Sequence, residues 1–348
     1  MKIQESFLKL CLLIRRANKM ILTKTPLRVS FFSGGSDMPS FYEQEDGAAL
    51  SVTIDKFIYV FAHKVPHMGV RCMYDDVEEQ HDIEQMQHAI TRETLKYYNV
   101  TKELTVASIS DIVTKGSGLG SSSAFTVGLV KALSCTKYDN STRKYVADIA
   151  CQIEMDKCGY PVGKQDQYAA AFGGMNLFRF RKNGEVEVEE LRLTNPNVEA
   201  LEKNLMLVYS GRSRNANNIL QKQQKAMMDN DKFNKVKRSK DKAFEGMDLI
   251  LKGKIDDFGR LLHESWLDKK GVCEEITQDY FDNVYQTAIE AGALGGKLLG
   301  AGGGGFFIFY VPEKYRTSVE GAISNFHKEC KIYDFEFYGS GSHMVYQN

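Results

Sequence analysis

Glycine is concentrated in two short runs: eight of the 29 glycines fall between Gly292 and Gly305, and three more between Gly116 and Gly120. A residue without a side chain adds nothing to a core. Such runs make sense where backbone lies against backbone or ligand, or where tight loops need positive φ. Each run abuts an apolar segment. Lys115-Gly-Ser-Gly-Leu-Gly-Ser-Ser-Ser-Ala124 leads into an apolar stretch to Leu133, which reads as a helix. Gly300-Ala-Gly-Gly-Gly-Gly305 leads into Phe306–Val311, which reads as a strand. The chain is therefore expected to bring backbone close to something at two places far apart in sequence.

Around these anchors the patterning reads as strands at Thr23–Phe32, Ala49–Ala62, Leu104–Ile109, Asn176–Phe180, Val186–Leu193 and Leu205–Tyr209. Helices are expected from Ser141, as N-cap, to about Gly159, over 215–251, and over 279–292. A strand-rich first half and a helix-rich second half predict an α+β protein of two lobes with a seam near residue 200. The domains expected are 1–20 as an extension, 21–199 and 200–348. In residues 1–20 the apolar run Phe7–Ile14 is too short to span a bilayer, and no small-residue cleavage site follows it. It reads either as a docked helix or as the product of an upstream start codon, with the natural start at Met20.

Composition narrows the function. With 43% apolar and 26% charged residues the chain is neither a disordered scaffold nor a coiled coil. Lys+Arg and Asp+Glu both number 45, so no basic excess exists for nucleic acid or an anionic membrane. The seven cysteines are scattered without a C-x-x-C pair, which fits reduced cytoplasmic thiols, and the histidines show no zinc spacing.

Four constellations carry chemistry. The first glycine loop, with three serines opening a helix, is an anion site by default, phosphate above all, since N–H groups and the helix dipole converge there. It is not a Walker A loop, and no early β-α-β unit supports a Rossmann reading. The second glycine loop fits close backbone packing or a hinge. In Gly163-Lys-Gln-Asp-Gln167, Asp166 suits an ionised, oriented carboxylate, and Glu154 falls on the apolar face of its helix, where a cation is its natural partner. Finally, Arg28 and Asp37 in Arg28-Val-Ser-Phe-Phe-Ser-Gly-Gly-Ser-Asp37 suit a polyhydroxy substrate or form a buried ion pair.

In this order the four motifs resemble the GHMP kinases, from about Ile21 to the C-terminus. Arg28–Asp37, His263-Glu-Ser-Trp-Leu-Asp-Lys-Lys-Gly271 and Gly295–Phe306 are similar to the sugar 1-kinases of the heptose-phosphate and fucokinase groups, with departures at Ser36 and Met38. The resemblance implies a first lobe like domain 2 of ribosomal protein S5 and a ferredoxin-like second lobe. It implies ATP along Lys115, Gly116, Ser117, Gly118, Leu119, Gly120, Ser121, Ser122 and Ser123, with Mg2+ on Ser122 or Ser123 and Glu154. Asp166 would be the catalytic base and Arg28 would orient the attacking hydroxyl. Asp37 would hold sugar hydroxyls, Gly302 and Gly303 would support the substrate site, and a distal phosphate would fall to Arg212 and Arg214 and, after them, to Lys164 and Lys297. The activity expected is phosphorylation of the C1 hydroxyl of heptose 7-phosphate in the cytoplasm, with a small-molecule sugar phosphate as partner and a homodimer left open. Another sugar 1-kinase, fucokinase- or galactokinase-like, or a non-catalytic paralogue stays open beside it.

Overall fold

A computed structural model describes residues 20–33, 35–66, 69–134, 141–213 and 216–347. Residues 1–19, read as a docked helix or as the product of an upstream start, lie outside the described residues, as does Arg214.

Apolar β-branched stretches build the first sheet. Strand β1 (Met20–Phe32) runs antiparallel along almost the whole of β2 (Gly47–Lys64). The far half of β2 pairs with β5 (Leu104–Ser110), which takes β3 (Val70–Met73) in parallel, and β3 pairs with β4 (Val77–Gln80). The near half of β2 pairs with β6 (Met175–Phe180) and through it with β7 (Val186–Leu191). One long strand thus serves two neighbours in succession. Helix α1 (Ala89–Tyr97) precedes β5, and α2 (Ser121–Ser134) lies on β1 and β2. From Ser123 onward α2 is buried throughout, each fully buried Leu or Val side chain stabilising the layer by about 1.5–3 kcal/mol.

Helix α3 (Arg143–Cys151) is capped by Thr142 rather than the expected Ser141: the Thr142 hydroxyl accepts from the Tyr145 amide. It widens into a π-turn over Gln152–Lys157, closed by the Cys158 amide on the Ile153 carbonyl. Helix α4 (Gln165–Phe172) follows directly. The five cysteines among the described residues form no disulfide, and no described helix is long and apolar enough to cross a membrane.

The second sheet has the order β11 (Lys331–Tyr333), β8 (Leu205–Tyr209), β10 (Phe306–Tyr310), β9 (Gly295–Leu298), all antiparallel. Helix α5 (Pro196–Lys203) leads into β8. The helix expected over 215–251 is two: α6 (Ala216–Ala226) and α7 (Asn230–Leu251), separated where Asp229 caps the second by accepting from Asp231 and Lys232 amides. Then come α8 (Ile255–Lys270), α9 (Asp279–Glu290) and α10 (Arg316–Phe326). The basic face of α7 is spent on ion pairs, Lys237 and Lys240 with Glu45, Arg238 and Lys242 with Asp268. The last strand, β12 (His343–Gln347), returns to the first sheet and pairs with β1. Its five residues, with the apolar Met344, Val345 and Tyr346 consecutive, carry no strand alternation of their own. At the seam, Phe31 and Phe32 of β1 meet Phe258 of α8 edge to face.

Candidate active site

The first glycine loop is folded by its own polar atoms. The Ser117 hydroxyl accepts from the Leu119 amide, the Leu119 carbonyl accepts from the Arg28 amide, and the Ser121 hydroxyl donates to the Thr114 carbonyl. Gly118 and Gly120 have φ of +75° and +74°. A Cβ on Gly118 would stand 2.6 Å from the Leu299 carbonyl oxygen, so only glycine lets the two glycine loops touch. The contact is sealed by the Phe306 amide donating to the Ser117 carbonyl at 3.0 Å.

Beneath Gly120, Arg28 and Asp166 form a two-point pair: Nε to Oδ1 at 2.8 Å and Nη2 to Oδ2 at 2.7 Å. Nη1 of the same guanidinium donates to the Gly118 carbonyl. Arg28 is therefore paired with Asp166, 138 residues away, rather than with its sequence neighbour Asp37. The arginine side chain is 6% exposed and the aspartate 29%, so the carboxylate is the member that faces outward. Planar two-point geometry fixes both groups more firmly than a single contact.

Both groups line a cleft of about 420 Å³ between the sheets. Its walls include Ser33, Asp37 and Met38 after β1, Tyr160 and Val162 before α4, and the loop from Gly116 to Ser123. Leu220, Gln223, Lys269, Lys297 and Ala301 close it from the second half of the chain. Asp37 accepts from the Ser33 hydroxyl and the Gln165 amide, at 3.2 Å each. Burial foremost, and then the nearby Asp166 carboxylate, push its pKa up to about 6. A second cleft of about 600 Å³ adjoins the same loop, with Tyr74, Ile109, Ile112, Val113 and Phe125 forming an apolar wall beside Lys115.

Glu154 is 1% exposed and no cation neutralises it among the described residues. Ser123 (2.8 Å) and Gln167 (2.6 Å) donate to Oε2, and Thr126 donates to Oε1. Burial raises its pKa to about 7 against those three hydrogen bonds. Beside it the amide oxygen of Gln167 is buried with no donor. No cluster of three or more acidic, His or Cys ligands occurs among the described residues. One carboxylate, serine hydroxyls at a helix start and an orphaned amide oxygen suit a hard cation that keeps water and borrows phosphate oxygens, as Mg2+ does.

Other expected site residues lie elsewhere. Gly302 packs on Ile276 and the Gly303 amide donates to the Ile276 carbonyl, so neither lines the cleft. Lys164 points to the β6–β7 turn, its ammonium donating to the Gly184 carbonyl. Arg212 pairs with Glu329 at 3.0 Å and stacks over Tyr280, also off the cleft. Conversely, Thr126, Gln223 and Lys269 belong to the surroundings of the site although no sequence motif marks them as site residues. Thr126 lies three residues after Ser123, on the same helix face, and Lys269 continues the buried face of α8 through Phe258, Leu262 and Trp266. Those spacings were the available signals.

Comparison with known proteins matches residues 84–174 to the GHMP kinases N terminal domain and residues 247–332 to the GHMP kinases C terminal domain. The D-glycero-alpha-D-manno-heptose 7-phosphate kinase of Campylobacter jejuni is 28% identical over 335 residues, 93% of this chain and 98% of that protein. Among solved structures, a D-glycero-D-manno-heptose 1-phosphate kinase from Bacteriodes thetaiotaomicron superposes with a TM-score of 0.75 at 26% identity, covering 94% of this chain and 99% of that one. Lactococcus lactis galactokinase, at 17% identity and a TM-score of 0.73 over 99% of this chain and 100% of its own, shares the fold.

Proposed function

The chain belongs to the GHMP kinases, and from that premise we propose that it transfers the γ-phosphoryl of ATP to the anomeric hydroxyl of D-glycero-D-manno-heptose 7-phosphate, giving the 1,7-bisphosphate. The observation that carries the reading is the Arg28–Asp166 pair, with its carboxylate facing the cleft directly beneath the glycine loop.

The triphosphate lies along Gly116–Ser123, where loop amides and the start of α2 meet its charge, and the base lies against the apolar wall of Tyr74, Ile112 and Phe125. Asp166 takes the proton of the sugar hydroxyl as its oxygen bonds to the γ-phosphorus, while the bond from that phosphorus to the bridging oxygen breaks and ADP departs. An anomeric hydroxyl is more acidic than an ordinary alcohol, so a carboxylate suffices as base. Arg28 holds Asp166 in line and adds positive charge beside the reacting oxygens. Asp37 takes sugar hydroxyls. When bound, Mg2+ neutralises charge on the β- and γ-phosphates; Glu154, Ser123 and Ser122 are the residues that would hold it.

A second reading, an acceptor without the distal phosphate, is favoured by one observation: Arg212 is already paired with Glu329 outside the cleft. ADP release measured with heptose 7-phosphate, free heptose, fucose and galactose separates the two. The first reading expects kcat/KM at least ~10²-fold higher for the phosphorylated heptose, the scale of losing a buried charged contact. Equal or better turnover of a free sugar overturns the heptose phosphate. Binding of sugars without any ADP release overturns the kinase.

A further inference from the structure

Two lysines face the cleft from the second half of the chain, and neither meets a carboxylate among the described residues. Lys269 on α8 is 7% exposed and Lys297 on β9 is 3% exposed. Their hydrogen bonds go to main-chain oxygens only. Lys269 Nζ donates to the Leu298 and Gly300 carbonyls, both at 2.7 Å, and Lys297 Nζ donates to the Phe31 carbonyl at 2.8 Å. An ammonium has three N–H donors, so one on Lys269 and two on Lys297 are left over. Carbonyl dipoles orient a buried ammonium but leave its charge uncompensated, which is costly unless an anion arrives.

Both lysines line the cleft that also holds Arg28, so three positive groups face two carboxylates, Asp37 and Asp166, of which Asp166 is already bound to Arg28. The pair also sits by the glycine loops, since Gly300, whose carbonyl takes Lys269, abuts the Cα of Gly118. We propose that Lys269 and Lys297 form a phosphoryl-binding pair, held open by main-chain carbonyls, whose ligand is a phosphate group in the cleft. That group is either the acceptor's own phosphate or the γ-phosphoryl in transfer. Burial and the neighbouring Arg28 bring Lys297 down to about 7, and burial holds Lys269 well below its ordinary range, in keeping with ammonium groups that lack an anion.

The proposal rests on the kinase reading for the identity of the group, so the primary test uses inorganic phosphate and no sugar. With the nucleotide site filled by ADP and Mg2+, phosphate at ten times its dissociation constant should raise the melting temperature of the wild-type chain by about 2–3 °C. The Lys269→Met/Lys297→Met double variant should lose that shift yet melt within a few degrees of wild type or above it, because an unpaired buried charge has been removed. Kinetics then identify the source. A ~10- to 100-fold rise in KM for the phosphorylated sugar, with KM for ATP unchanged, assigns the acceptor's phosphate. A fall in kcat of that size for phosphorylated and free sugars alike assigns the γ-phosphoryl. Lys297→Gln, which keeps a donor for the Phe31 carbonyl without the charge, should follow the double variant. The proposal is overturned if wild type shows no phosphate shift, if the double variant retains it, or if the variants merely melt earlier with unaltered kinetics, as main-chain clamps would.

Discussion

The two glycine loops are alike in composition and differ in duty. The loop from Gly116 to Gly120 turns amides, serine hydroxyls and the start of α2 toward the cleft, and it lies on the Arg28–Asp166 pair. The loop from Gly300 to Gly305 gives the cleft only Gly300 and Ala301. Gly302 and Gly305 press on main chain: a Cβ at Gly305 would stand 2.3 Å from the Ser117 carbonyl oxygen, and one at Gly302 2.7 Å from that of Ile276. The richer run is therefore the supporting one. What distinguishes the loop that lines the cleft from the loop that packs is the polar residues beside glycine, three serines after the first and none within the second.

The largest expected effect lies under the first loop. Asp166→Asn should lower kcat by ~10²- to 10⁴-fold, the range for losing a general base, with KM for ATP nearly unchanged and the melting temperature lowered, because the buried Arg28 guanidinium loses its counter-charge. Steady-state kinetics with a differential scan checks it, and an unchanged kcat would break the assignment of chemistry to that loop's face. Next is Gly305→Ala in the supporting loop. Its φ of +92° and the Ser117 carbonyl both oppose a side chain, so stability should fall by about 2–4 kcal/mol, read by denaturant melts. KM for ATP should rise with it, because the Ser117 backbone is displaced. A large loss of kcat in a fully stable protein would instead place the second loop in the chemistry.

A third prediction concerns the cleft wall beside the first loop. Asp37 titrates at about 6 in the folded chain against an ordinary 3.8, so the native state holds this proton longer than the unfolded one. The sign follows: the contribution to stability is greatest below 3.8 and is lost as pH rises through about 6. Wild type should lose stability relative to Asp37→Asn over that window and run parallel to it above, measured by urea melts across pH. A constant difference would show that the wall is wetter than its burial implies. The smallest effect serves as a control for both loops. Gly321 sits inside α10 with nothing within 4 Å of where a Cβ would lie, so Gly321→Ala should stabilise by about 0.5–1 kcal/mol. A loss there would mean that glycine in this chain has constraints beyond packing and φ.

Much of the site was legible because its chemistry is local. The glycine–serine loop, the amphipathic helix carrying Glu154 inward and the Gln-Asp-Gln stretch each announce an anion, a buried charge or an oriented carboxylate within ten residues. The strands of the first sheet were equally plain, since their apolar runs are long. What escaped was decided by partners distant in sequence or by main chain. Ser141 and Thr142 are equal candidates for a cap until the Tyr145 amide selects one. The break between α6 and α7 is one Asp in a polar run. Strand β12 forms because β1 offers it a free edge.

The sequence by itself pointed to the chemical class: two close-packed backbone loops, a helix start suited to an anion, and carboxylates suited to proton transfer and to a cation, because those follow from residue type and short spacing. Only the tertiary structure decided which charges answer one another. It gave Arg28 to Asp166 instead of Asp37, tied Arg212 to Glu329 away from the cleft, and turned Lys269 and Lys297 toward it. The physical reason is that charge pairing depends on distance and desolvation, which are properties of the assembled sheets, and that main-chain carbonyls, the partners of both lysines, are the same at every residue and leave no mark in the sequence.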